Sequence, residues 1–183
     1  MVTGNTEIEI RILLEEYRAL YRLGELRMGS LERRAPIAAA TLAAFLGSIT
    51  VLALPLQIVA LVGVPIVLLW YLRTTIIHAN SFEDVLRRIE EIEKAVNKRA
   101  ATRLLEFQSS HPSRGTGTGG RTGKGTVTAV FITCLLLLTG CLAIVREIVP
   151  PFQAFYAIYT LLAAITLGGQ FIRFRKYRYT KSQ

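Results

Sequence analysis

The segment SRGTGTGGRTGKG at residues 113–125 has the composition of a loop that cradles phosphate groups. Three of its glycines satisfy the G-x-G-x-x-G spacing of dinucleotide sites, which requires a strand before it and a soluble helix after it. Here an amphipathic stretch precedes the segment and an apolar run follows it. The Walker spacing fails as well, because Gly125 stands where Ser or Thr must follow Lys124. The sequence therefore predicts a flexible, basic linker over 109–125.

The other reactive residue types occur without the neighbours that chemistry requires. Cys134 and Cys141 lie in an apolar run with no histidine, acid or further cysteine nearby, which is typical of small apolar residues. His78 and His111 belong to no metal-ligand spacing. Threonines in the apolar runs are expected to bond to their own helix backbone, with pore lining as the alternative. We expect no catalytic residue, metal or cofactor, and hence no enzyme.

Charged and apolar residues are segregated along the chain. Apolar residues make up 51% of the sequence and the mean hydropathy is +0.40, yet the formal net charge is +9. Residues 35–72, 126–145 and 152–172 contain no Asp, Glu, Lys, Arg or His. A bilayer core of about 30 Å needs about 20 helical residues, so the longer first run must turn back on itself near 55–57. The predicted spans are 36–54, 58–76, 126–145 and 152–172.

The basic residues indicate how these spans cross the membrane. Of the 22 Lys and Arg residues, only Arg146 lies between the third and fourth spans. All the others lie before the first span, between Arg73 and Lys124, or after the fourth span, and four crossings place these three regions on the same side of the membrane. Basic residues near span ends stay cytoplasmic. The sequence therefore predicts a multi-pass protein of the cytoplasmic (inner) membrane, with both termini and the central segment inside and short turns near 55–57 and 146–151 outside.

Two segments outside the spans have the apolar periodicity of amphipathic helices. The first opens with Thr6 as a capping residue, and the second follows Ser81 in the same role. Three pairs four residues apart, Glu83 with Arg87, Asp84 with Arg88 and Glu90 with Lys94, are expected to support the second helix. The apolar stripes are Ile10, Leu13, Tyr17 and Leu20 in the first helix, and Phe82, Val85, Ile89, Ile92 and Val96 in the second.

An apolar stripe needs a surface that covers it. Three alternative surfaces can cover the stripe of the second helix. They are the N-terminal helix of the same chain, running antiparallel to it; the equivalent helix of a neighbouring copy; and the membrane surface. We expect a helical stem with coiled-coil-like packing, in which packing within and between chains produces a homo-oligomer.

The C-terminal tail RFRKYRYTKSQ combines basic and aromatic residues directly after a span. Attraction to anionic lipid headgroups, with the aromatic rings at headgroup level, explains this composition better than nucleic-acid binding. The predicted lipid partner is a bilayer with anionic headgroups, and no nucleic-acid partner is expected. The residues predicted to contact headgroups are Arg173, Arg175, Lys176, Arg178 and Lys181.

The predicted fold class is an all-α integral membrane protein with four transmembrane helices as two hairpins and two cytoplasmic amphipathic helices. The function that fits is a non-enzymatic scaffold, sensor or partner-binding subunit, with a cytoplasmic protein as a further possible partner. The alternative is a homo-oligomeric channel or pore-forming effector of toxin or defence type, gated by the cytoplasmic helices. The segments are 1–35, the hairpin 36–76, the helix 77–108, the linker 109–125, the hairpin 126–172 and the tail 173–183.

Overall fold

The computed structural model describes residues 2–49, 51–111 and 118–179, and within these ranges the chain is helical with no β-strand. A 3₁₀ turn over Pro150–Phe152 links the last two helices. The α-helices are α1 (Val2–Glu32), α2 (Arg34–Ile49), α3 (Leu54–Ala100), α4 (Gly120–Ile148) and α5 (Gln153–Arg175).

Three helical segments are long and apolar enough to cross a membrane: Leu54–Ala100, Gly120–Ile148 and Pro150–Arg175. These segments contain the second, third and fourth predicted spans. The first predicted span corresponds to α2, which has only 16 residues and is therefore about 24 Å long. The structure thus contains an all-helical chain with three candidate membrane spans.

The connection between α2 and α3 lies at residues 51–53, just before the predicted turn at 55–57. Pro55 is instead the second residue of α3. Proline is tolerated in the first turn of a helix because the amide hydrogens there have no partner within the helix. Gln57 Nε2 donates to the carbonyl oxygen of Ile49 at 2.9 Å, which satisfies a carbonyl at the end of α2.

Helix α3 is continuous over 47 residues, so the expected helix start at Ser81 is wrong. The amide hydrogens after Ser81 already have partners within the helix, and a cap has nothing to satisfy there. The helix also ends at Ala100, although the sequence predicted helix as far as residue 108. Ala101 takes a left-handed conformation (φ 52°) and redirects the chain.

Two other helix starts differ from their predicted positions. Helix α1 begins at Val2, so Thr6 lies inside the helix and not at its cap. Helix α4 begins at Gly120, inside the segment for which the sequence predicted a linker. Gly115 and Gly117, two glycines of the G-x-G-x-x-G match, lie outside the described residues.

The chain divides into two compact units. Unit 1 comprises the described residues of Met1–Leu31, His78–Lys124 and Tyr177–Gln183, and unit 2 those of Glu32–Ile77 and Gly125–Lys176. These divisions fall close to the boundaries where the sequence changes between charged and charge-free segments.

Unit 2 exposes many large apolar side chains. Exposed large apolar side chains in such number are unfavourable against water and suit a surface that faces lipid. Several threonines within the described apolar runs donate to carbonyls of their own helices, as predicted; examples are Thr41 to Ile37 and Thr133 to Ala129. The exposed apolar side chains include Ile66, Val67, Trp70, Ile158, Leu161, Leu162 and Ile165.

Pro65 interrupts the hydrogen-bond ladder of α3 within unit 2. Proline has no amide hydrogen, so the carbonyl of Leu61, four residues earlier, lacks its usual helical donor. The hydroxyl of Tyr156, a buried residue of α5, donates to this carbonyl at 2.8 Å. Tyr159, one turn later, donates to the carbonyl of Val62 at 3.0 Å. These bonds join α5 to the proline-interrupted turn of α3.

Candidate functional site

Within unit 1, α1 runs antiparallel to the His78–Ala100 part of α3. Arg99 Nε lies 2.9 Å from Glu9 Oε2, near the start of α1 and the end of α3. At the other end, Arg27 contacts His78 at 3.4 Å between Nη1 and Nδ1. Because early residues of one helix meet late residues of the other, the two helices point in opposite directions.

The predicted apolar stripe of α3 is enclosed within unit 1. Its five residues are all buried, and Gly24 of α1 lies so close to Val85 that a Cβ added to the glycine would be 3.7 Å from the valine Cγ1. The four α1 residues predicted to form the opposing stripe are partly buried. The five α3 side chains are therefore covered within the chain. The buried residues of α3 are Phe82, Val85, Ile89, Ile92 and Val96.

Charged residues border this apolar interior. The predicted pairs Glu83–Arg87 and Glu90–Lys94 are present as ion pairs, as expected from their four-residue spacing. Arg88 instead bonds across to α1, with its Nε 2.8 Å from Glu16 Oε1. An arginine on α3 thus connects two helices where the sequence suggested a pair within one helix.

Polar side chains of α3 hold the segment that follows the helix. Asn97 Oδ1 accepts hydrogen bonds from the amides of Leu104 and Leu105 at 2.8 and 3.0 Å. Glu93 is fully buried, and its two carboxylate oxygens accept from the amides of Gln108 and Ser109, each at 2.8 Å. The segment 104–109 therefore lies along α3 and does not continue the helix.

Two tyrosine hydroxyls also reach acidic side chains of α3 in unit 1. Tyr17 Oη donates to Glu93 Oε1 at 3.3 Å, and Tyr177 Oη donates to Asp84 Oδ1 at 2.7 Å. Burial, followed by the charge of Glu93, raises the pKa of Tyr17. Burial and the hydrogen bond to Asp84 raise the pKa of Tyr177 to about 12. Both hydroxyls are therefore protonated donors at neutral pH.

Helix α1 carries a second apolar stripe, which was not predicted from the sequence. At 100° per residue, its members fall within about 60° of one another on the helix circumference, on a side away from Leu13 and Tyr17. Ile8, Ile12 and Leu26 are 59%, 62% and 74% exposed. The spacing of these apolar residues is visible in the sequence, but Glu15 and Glu16 occur between Ile12 and Ala19, so the stripe was not recognised. We name this surface the outer stripe; it consists of Ile8, Ile12, Ala19, Leu23 and Leu26.

The residues predicted to contact lipid headgroups lie at and after the end of α5. Arg173 and Arg175 are in its last turn, where positive charge is favourable, and Lys176 follows directly. All three are exposed, as is Arg178. Lys181 lies outside the described residues.

The reactive residue types do not assemble into a site in the described part of the chain. Cys134 and Cys141 are both buried and free. No three His, Cys, Asp or Glu side chains among the described residues lie close enough together to hold a metal ion.

Comparisons with known proteins provide no relative from which a function can be transferred. No family model matches the chain, and no curated protein or solved structure matches it. The two units and the outer stripe are therefore the features that bear on function.

Proposed function

We propose that the chain is a non-enzymatic multi-pass membrane protein that assembles through its cytoplasmic helices as a scaffold, sensor or partner-binding subunit. In this proposal the apolar helices of unit 2 form four spans in two hairpins, α2 with α3 and α4 with α5. The exposed apolar side chains of unit 2 support a lipid environment. The short α2 is accommodated by local thinning of the bilayer.

The distribution of basic residues supports a cytoplasmic position for unit 1 and both termini. The turn at 51–53 and the turn around Pro150 are then the parts exposed on the outer side. In this arrangement the basic residues at the end of α5 lie where anionic headgroups are attractive partners.

The observation that carries the assembly function is the outer stripe of α1. One side of α1 already packs within unit 1, so an apolar stripe on another side has no covering surface in the described chain. A second copy of the chain is the occupant that we propose. Glu16, which lies beside the stripe, is already paired with Arg88 of α3, so the apolar side chains of the stripe carry this proposed contact.

The assembly is tested by the mass of the protein in mild detergent and in nanodiscs. We expect the wild-type chain to form an oligomer, and the double variant Ile12→Glu with Leu26→Glu to be monomeric with unchanged helicity. Leu104→Glu is the matched control, because Leu104 is an exposed apolar residue of unit 1 outside the stripe. A monomeric wild type, or a double variant that behaves like the control, would refute assembly through the outer stripe.

The second candidate function is a homo-oligomeric pore gated by the cytoplasmic helices. The observation that favours it is the amide oxygen of Gln170, which is buried in an otherwise apolar part of α5 without a hydrogen-bond partner among the described residues. Dye release from liposomes separates the two functions. Release that is lost in Gln170→Leu supports a pore, whereas vesicles that stay tight with the oligomer present support the scaffold.

A further inference from the structure

Unit 1 contains a cavity of about 590 Å³ that the assembly function does not use. Its volume lies within the range of small-molecule sites, which is roughly 300–1,000 Å³. Met28 of α1 and Phe82 and Leu86 of α3 provide apolar walls, and Phe107 of the returning segment closes a further side. Two aromatic rings and two aliphatic side chains thus surround the space.

The cavity walls are held in place by buried carboxylates. Gln108 lines the cavity, and its amide donates to Glu93. Gly119 lines it on another side, and its amide donates to Glu83 Oε2 at 2.8 Å. Gly119 has a φ of +71°, and a Cβ there would lie 3.1 Å from the carbonyl oxygen of Ala79, so this wall depends on glycine. The cavity is therefore formed before any ligand binds.

The ionisable residues that line the cavity are basic. They are His111 and Arg121, and no acidic residue is among the lining residues that the structure describes. The nearby carboxylate of Glu83 is neutralised by its ion pair with Arg87 and its bond to the Gly119 amide. Arg121 is exposed and forms no ion pair with any residue of the described ranges. The positive charge of Arg121 thus complements an anion.

We infer that this cavity binds a small amphipathic anion, with an aromatic or short acyl body against Phe82, Leu86 and Phe107 and a carboxylate facing Arg121. The apolar walls would contact the apolar body of the ligand, and the arginine would bind its carboxylate. A carboxylate held by an arginine fork gains charge-assisted hydrogen bonds, which are stronger than neutral ones. This inference is separate from the proposed assembly, because no residue of the outer stripe lines the cavity.

The test is calorimetric titration of the full chain in zwitterionic nanodiscs, with empty nanodiscs as the blank for partition into lipid. The probes are 2-naphthoate and the uncharged 2-naphthamide, which share the aromatic body. We expect naphthoate to bind more tightly than naphthamide. Arg121→Gln should weaken naphthoate binding about tenfold, as expected for loss of a charge-assisted hydrogen bond, and leave naphthamide unchanged.

Leu86→Trp and Met28→Trp fill the cavity from α3 and α1, and we expect each to abolish binding of both probes. We use two variants so that, if one fails to fold, the other still tests the cavity. Retained helicity identifies a folded variant. Arg103→Gln is the charge control, because Arg103 is exposed and lies outside the cavity. Equal affinity for the two probes, or an equal effect of Arg121→Gln and Arg103→Gln, would overturn the anion assignment. Undiminished binding to folded Leu86→Trp and Met28→Trp would overturn the cavity itself.

Discussion

Two buried carboxylates of α3 connect the helix to the segments that follow it. Glu93 accepts hydrogen bonds from two successive amides, and Glu83 accepts one from Gly119. A buried carboxylate is costly unless its oxygens are hydrogen-bonded, and here each carboxylate has main-chain donors. These side chains therefore determine where the chain lies after residue 100.

Removal of Glu93 should release the segment that it holds. We expect Glu93→Ala to destabilise unit 1 by about 3 kcal/mol, because the amides of Gln108 and Ser109 and the Tyr17 hydroxyl lose their acceptor. Glu93→Gln should be intermediate, since an amide side chain has one acceptor oxygen where the carboxylate has two. Hydrogen exchange at Gln108 and Ser109 measures the effect directly. Glu91→Ala is the control on the same helix, and equal protection in all three variants would contradict this role.

Two glycines in unit 1 have opposite requirements, which gives a second prediction. Gly24 lies inside α1, and a Cβ there would make an ordinary contact, 3.7 Å from Val85 Cγ1. Gly24→Ala should therefore stabilise the protein by about 0.5–1 kcal/mol. Gly119→Ala should destabilise it by about 1–3 kcal/mol, because the positive φ and the close carbonyl of Ala79 both oppose a side chain. Thermal unfolding of both variants measures the difference, and the same sign for both would refute it.

At the scale of elements, α3 and α5 are joined where proline removes a hydrogen bond from α3. In a lipid environment an unpaired carbonyl cannot be satisfied by water, so the hydroxyl of Tyr156 replaces the missing donor of Leu61. The energetic value of this bond should depend on whether residue 65 has an amide hydrogen.

A double-mutant cycle between Pro65 and Tyr156 tests this dependence. We expect Tyr156→Phe to cost about 1 kcal/mol in the wild type and clearly less in the Pro65→Ala background, where the substituted residue donates its amide hydrogen to the carbonyl of Leu61. Unfolding in graded SDS and mild-detergent mixtures gives the free energies. Thr166→Val is the control, because its hydroxyl bonds within its own helix and should cost the same in both backgrounds. Strictly additive effects of Pro65→Ala and Tyr156→Phe would rule the coupling out.

At the scale of the whole molecule, the proposed threading assigns each turn to a side of the membrane. In a background with Cys134 and Cys141 replaced by alanine, we expect Leu52→Cys and Phe152→Cys to react with an impermeant maleimide from outside intact cells. Leu104→Cys should react only after lysis. All three side chains are exposed, so a difference in labelling reports the side and not burial. Labelling of Leu104→Cys in intact cells would show that the chain is threaded in the opposite direction.

Local sequence was sufficient to predict the helical class, three apolar segments long enough to cross a membrane, and the bonding of threonines such as Thr41 and Thr133 to their own helices. Each depends on local composition or on neighbours within one helical turn, so the chain order contains the necessary information. The pairs Glu83–Arg87 and Glu90–Lys94 were predictable for the same reason.

Long-range packing, and not local sequence, sets where α3 ends, which residues the buried carboxylates hold, and which side of α1 stays exposed. The partners of Glu93 are 15 and 16 residues away, and Tyr156 lies 95 residues from Leu61, distances at which periodicity carries no information. The outer stripe shows the same limit. Both apolar sides of α1 are visible in the sequence, but only the packing against α3 determines which one remains available to a partner.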